Sequence, residues 1–173
     1  MRKLLLVIDM QTDFVDGALG SAEALAIIPS VLREIAKYDK KDIIATRDTH
    51  PAEYMETREG RHLPVPHCIK GTRGWELHPA VATALEGCLV IDKPTFGSTE
   101  LCEHIVELAK ADDVEVTLVG LCTDICVVSN AMLIKAALPE IEVSVVAAAC
   151  AGVTPDTHAA ALTTMKMCQI NII

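Results

Sequence analysis

Five short runs, KLLLVID, KDIIATRD, GCLVIDK, VEVTLVG and IEVSVVAA, recur along the chain, each rich in aliphatic and β-branched residues and bounded by charged or turn residues. Strands buried on both faces read this way, and a sixth run, QINII, closes the chain. Segments with helical periodicity fill the gaps, over Ala22 to Lys37, Ser98 to Lys110, Asp124 to Ala137 and Thr154 to Cys168. Strands alternating with helices need right-handed crossovers and hence a mostly parallel sheet. The predicted fold class is α/β, a three-layer sandwich with a six-stranded, mostly parallel sheet flanked by helices. Helix starts are marked by Ser98 as N-cap with Glu100 in the first turn, and by Thr154 as N-cap with Pro155 at the first helical position.

At 173 residues the chain is long enough for one sizeable core and short for two, so residues 1–173 are read as a single domain. Aromatics make up only 3%, so the core must come from aliphatic side chains, as a helix-covered parallel sheet requires. A net charge of −9 argues against nucleic acid or an anionic membrane surface as partner, since both need a basic face. No apolar run reaches the roughly 20 residues of a membrane span. The opening MRKLLLVIDM reads as a first strand, because an aspartate follows the apolar run directly and no small-residue cleavage site is present. Seven irregularly spaced cysteines are expected to be free thiols in a cytoplasmic chain. The expected partner is a small molecule, with homo-oligomer formation through exposed apolar patches.

Residues 47 to 79 break the alternation with a long stretch rich in Pro, Gly, His and charge, and long loops within compact domains are usually functional. In open α/β sheets the ligand crevice lies beyond the carboxyl ends of the strands. Asp9, Asp48, Lys93 and the run after Gly120 stand at those ends.

Cys126 would fall in the first turn of the helix beginning at Asp124, where unpaired amides and the helix dipole favour a thiolate and could hold an oxyanion. The competing reading is a buried cysteine acting as a small hydrophobe. A zinc pair of Cys122 and Cys126 would need further soft ligands and has the wrong spacing. Asp9 alone could cap a loop and Lys93 alone could be solvated. Together with the thiol they make a nucleophile with an orienting pair. In the loop, Asp48, His50, Glu59, His62 and His67 suit zinc, manganese or iron(II), although their spacing matches no short zinc motif and a merely polar loop competes.

The blocks VIDMQTDF, TRDTHP, LPVPHCIKGTRGWELHP, DKPTFGST, VGLCTDICV and ACAGVTPDTHAAAL resemble, in order and spacing over nearly the whole chain, the isochorismatase-like cysteine hydrolases, which include nicotinamidases. The resemblance implies a catalytic triad of Cys126, Lys93 and Asp9 that hydrolyses an amide carbon–nitrogen bond through a thioester. It also implies a cis peptide between Leu121 and Cys122, with the backbone amides of Cys122 and Cys126 as oxyanion hole. Because nicotinamidases hold a metal through a D-x-H motif and a P-H-C motif, the resemblance further implies a divalent metal, zinc with manganese or iron as alternatives, on Asp48, His50 and His67. Glu59 is chosen as the fourth ligand over His62 or Glu56.

The leading reaction is nicotinamide to nicotinate and ammonia, a step of NAD salvage. Isochorismatase itself lacks the cysteine, so Cys126 disfavours that activity. Where nicotinamidases often carry tryptophan and tyrosine, this chain has Leu63 and Phe96, and Phe14 and Phe96 are candidate pocket walls, with ordinary core packing as their rival role. Another small amide or a carbamoyl compound therefore stays open as substrate, as does a non-catalytic member that binds a ligand or partner. Cys150, in the last block, is assigned a structural role.

Overall fold

A computed structural model describes residues 1–173. Six strands, β1 (Arg2–Ile8), β2 (Ile43–Asp48), β3 (Leu89–Lys93), β4 (Val114–Leu121), β5 (Glu142–Ala151) and β6 (Asn171–Ile172), form one sheet in the order β3-β2-β1-β4-β5-β6. Every neighbouring pair is parallel. The strand order reverses between β1 and β4, and a crevice opens beyond the strand ends at such a switch point.

The helices are α1 (Thr12–Val15), α2 (Ala22–Ala26), α3 (Ile28–Ile35), α4 (Arg58–His62), α5 (Pro79–Ala84), α6 (Thr99–Ala111), α7 (Val128–Ala137) and α8 (Pro155–Met167). Side chains alternate across the sheet. Leu4, Leu6 and Ile8 of β1 pack with Leu101, Ile105, Ala131, Ile134 and Met165 from α6, α7 and α8. Leu5 and Val7 face the other way, onto Ala24, Val31, Ile35 and Val81 from α2, α3 and α5. The chain is thus a three-layer sandwich with its aliphatic core split between the two faces.

Two predicted helices differ in detail. The expected Ala22 to Lys37 helix divides at Ile27, because Pro29 has no N–H to give the carbonyl of Leu25. The expected Asp124 helix opens as a π-helical turn, Thr123–Val127, in which the Val127 N–H reaches back to the Cys122 carbonyl at 3.0 Å. Ser98 and Thr154 cap α6 and α8 as predicted, accepting from the N–H groups of Leu101 and Thr157. The long loop also holds structure that periodicity could not show, a 3₁₀ turn at Tyr54–Glu56 and then α4.

Gly120 is dictated by packing. It pairs with Ile8, has a φ of 117°, and a Cβ there would fall 2.1 Å from the Ile8 carbonyl oxygen. The end of β4 thereby lies close against the end of β1, beside Asp9.

Candidate active site

Asp9 directly follows β1 with a φ of 47°, a region that aspartate tolerates better than most residues. Thr46 on β2 holds it there: its hydroxyl donates to Asp9 Oδ1 at 2.7 Å and accepts from the Asp9 N–H at 3.2 Å. Asp9 Oδ2 lies 2.7 Å from Lys93 Nζ yet has no aligned hydrogen-bond donor. The two form a close buried ion pair, and a carboxylate oxygen engaged by one ammonium still has a second lone pair to offer. Lys93 ends β3, fully buried, and its ammonium also donates to Asp48 Oδ1 at 3.3 Å, the Thr95 carbonyl at 3.1 Å and Cys126 Sγ at 3.5 Å. The parallel register pairs Asp48 with Lys93 across β2 and β3, which sets both side chains at the same level.

Burial would by itself strip the proton from Lys93, but Asp9, Cys126 and Asp48 outweigh it and hold the ammonium above the ordinary lysine range. Asp9 is raised above the usual carboxylate value, by burial first; Lys93 and Thr46 only partly offset that and the charge of Asp48. Cys126 is raised well above its ordinary value, by burial and then by Asp9, with Lys93 pulling the other way. Burial thus opposes the helix start, which was expected to favour a thiolate. Asn130 of α7 steadies the turn that carries Cys126 by donating to the Cys126 carbonyl at 2.8 Å.

The peptide between Leu121 and Cys122 is cis. The Cys122 thiol is pushed up to about 12 by burial, which leaves it inert at neutral pH.

Beside the triad residues, Asp48, His50, Glu59 and His67 each offer one ligand atom, all within 4.8 Å of one another. Asp48 ends β2 and Glu59 is delivered by α4, whose N-cap Thr57 accepts from the Gly60 N–H at 3.0 Å. His67 Nδ1 lies 2.8 Å from the Val65 carbonyl, so it carries the proton and Nε2 keeps a free lone pair. His50 Nε2 is buried without a hydrogen-bond partner, although it sits 2.9 Å from Asp48 Oδ2. Two imidazole nitrogens and two carboxylates converging with unsatisfied lone pairs fit a divalent borderline cation. Burial pushes Asp48 up, but the adjoining His50 ring and the Lys93 ammonium outweigh it and hold the carboxyl below its usual value. His62, the rejected ligand candidate, lies at the surface with its Nδ1 3.1 Å from the Arg58 carbonyl.

A cavity of about 470 Å³ opens over these groups, lined by Cys126, Cys122, Asp48, Glu59 and His67 on its polar side. Phe14, Leu63 and Phe96, the three predicted pocket residues, all line it, and Leu121, Ile125 and Val153 join them. Asp9 and Lys93 lie behind Cys126, outside the lining.

Several contributors escaped the sequence reading. Gln11 and Thr46 stand inside the VIDMQTDF and TRDTHP blocks without an assigned role, because their partners lie 37 residues away, and Asn130 lies outside every block. Tyr54 left one signal, as one of only two tyrosines. Its buried ring packs edge-on against His50 at 4.8 Å and His67 at 5.0 Å, and its hydroxyl donates to the Leu63 carbonyl.

The chain matches the Isochorismatase domain over residues 3–173. It is 28% identical to the nicotinamidase/pyrazinamidase of Mycobacterium tuberculosis, over 99% of this chain and 98% of that protein. Among solved structures, the pyrazinamidase of Pyrococcus horikoshii in complex with zinc superposes with a TM-score of 0.81 at 31% identity, covering 100% of this chain and 99% of that one. The pyrazinamidase/nicotinamidase of Streptococcus mutans superposes with a TM-score of 0.84 at 29% identity, each chain covered to 99%.

Proposed function

Because the chain belongs to the isochorismatase domain family and is a hydrolase of amide carbon–nitrogen bonds, we propose that it converts nicotinamide to nicotinate and ammonia with Cys126 as nucleophile. One observation carries the reading: Lys93 Nζ stands 2.7 Å from Asp9 Oδ2 and 3.5 Å from Cys126 Sγ, with all three side chains buried. A buried thiol, ammonium and carboxylate in contact have no packing advantage over aliphatic residues, whereas they suit proton transfer coupled to attack.

The open lone pair of Asp9 Oδ2 takes the thiol proton as Cys126 Sγ attacks the amide carbon. The raised basicity of Asp9 makes that transfer easier, and Lys93 balances the charge passing between sulfur and carboxylate. The backbone amides of Cys122 and Cys126 receive the oxyanion. Protonated Asp9 returns its proton to the departing nitrogen, ammonia leaves and a thioester remains. Asp9 then takes a proton from water as the water attacks the thioester. The sulfur recovers its proton from Asp9, and the acid product departs as carboxylate after giving its remaining proton to the released ammonia.

Asp48, His50, Glu59 and His67 would hold a divalent ion, zinc in the leading assignment. When bound, the ion supplies a Lewis-acid anchor for a ring nitrogen of the substrate. Phe14, Leu63 and Phe96 would flank the ring. A cytoplasmic setting and a role in NAD salvage belong to this reading. No helix is long and apolar enough to cross a membrane.

A second reading, hydrolysis of another small amide, is favoured by the chamber mouth, where Phe96 is 45% exposed and Leu63 replaces a larger aromatic wall. Ammonia release from nicotinamide and from a panel of small amides, measured beside Cys126→Ala, decides between them. Turnover of nicotinamide lost in the variant supports the first reading, turnover confined to another amide the second, and silence on every amide refutes both.

A further inference from the structure

The segment that follows β1 touches both halves of the metal-ligand set without supplying a ligand atom. Gln11 is fully buried. Its amide nitrogen donates to the carbonyls of Asp48 and Trp75, both at 2.8 Å, and its amide oxygen accepts from the Asp48 N–H at 2.7 Å. The side chain thus pairs with both backbone groups of Asp48, as a neighbouring strand would, at the point where β1 has ended.

Two residues on, Asp13 Oδ2 accepts from the Cys68 N–H at 2.8 Å, and Oδ1 accepts from the Ala18 N–H at 3.3 Å. Cys68 follows His67 directly and has a φ of 47°. Gly74 lies against this carboxylate so closely that an added Cβ would fall 2.0 Å from Asp13 Oδ2. Backbone bonds from Thr12 N–H to the Glu76 carbonyl and from Asp13 N–H to the Gly74 carbonyl continue the attachment. The two ligand segments already pair with each other, through the His50 N–H to the Cys68 carbonyl and the Lys70 N–H to the His50 carbonyl, both at 3.0 Å. What Gln11 and Asp13 add is the tie between that pair and the strand carrying Asp9.

We propose that Gln11 and Asp13 are positioning residues that register the metal-ligand segments, through Asp48 and Cys68, against the end of β1. This rests on Asp48 and His67 being metal ligands. Partners of this kind behind metal ligands typically set about 10- to 100-fold of metal affinity. Neither residue lines the cavity or belongs to the ligand cluster.

The test is zinc affinity of the metal-stripped, folded protein, by competition with a chelating indicator and with zinc alone as probe. Gln11→Met and Asp13→Leu are expected to weaken zinc binding about 10- to 100-fold. Asp13→Asn, which keeps an acceptor for the Cys68 N–H, is expected to stay within a few-fold of the native protein. Circular dichroism and melting of the zinc-free proteins separate a merely structural role, which would lower the melting temperature and leave zinc affinity per folded molecule unchanged. That result overturns the proposal. If Gln11→Met does not fold, Gln11→Glu takes its place: it keeps an acceptor for the Asp48 N–H but turns an acceptor on the two carbonyls, and the same loss is expected. Asp48→Asn and His67→Ala run alongside. Unchanged zinc binding in those would mean that the ligand assignment itself has failed, and the positioning roles with it; loss there beside native affinity in the Gln11 and Asp13 variants overturns the positioning roles alone.

Discussion

Cys126 is the nucleophile of the proposed reaction. Cys126→Ala is expected to lower ammonia release by more than about 10³-fold while the circular dichroism spectrum stays native. Lys93 differs, because it neutralises a buried charge as well. Lys93→Met would strand the Asp9 carboxylate in a dry site, and breaking a buried pair in this way costs about 3 to 5 kcal/mol, to be read from urea unfolding. As the proposed base, Asp9 would set the acid limb of the rate. It must be ionised to take the thiol proton, and burial raises it above 3.8, so kcat/KM should climb with pH through a midpoint above the ordinary aspartate value. A limb centred at or below that value would remove Asp9 as base. These residues were legible in the sequence because an ionisable group ending an aliphatic run is conspicuous and its place at the sheet's edge is predictable. The resting protonation of Cys126 was not, since the helix start and the burial push in opposite directions and only the packed structure tells which prevails.

At the scale of elements, the strands and the longer helices were readable from apolar period and capping residues, while α4 was not. Five residues carry too little periodicity to register, yet α4 presents Glu59. Its position depends on Thr57 as cap and on Gly60, where an added Cβ would fall 2.1 Å from the Tyr54 carbonyl oxygen. Gly60→Ala is therefore expected to displace the helix at a cost of about 1 to 3 kcal/mol, with zinc affinity falling alongside, both measurable on one preparation. The divided helix at Ile27 makes the same point from the other side. Its apolar stripe runs through the break, so the period alone predicts continuity, and Pro29 decides otherwise.

Over the whole molecule, several buried thiols hold their protons more tightly than free ones do. Cys68, Cys122, Cys126 and Cys150 are all pushed up by burial, Cys122 and Cys150 to about 12 from an ordinary value of 9.0. Above pH 9 the unfolded chain releases protons that the folded chain retains, so stability is fully present below that pH and falls as pH rises towards 12. Each thiol held in this way removes about 1.4 kcal/mol per pH unit. Urea unfolding below and above pH 9 measures the slope, and a flat profile would mean that the interior admits water. The sheet order has a further consequence. Lys93 belongs to β3, the outermost strand on its side, while Asp9 and Cys126 belong to the centre. The margin of a sheet loosens before its middle. Mild denaturation should therefore extinguish turnover while the helical signal is still intact, so that a partly opened chain goes silent before it comes apart.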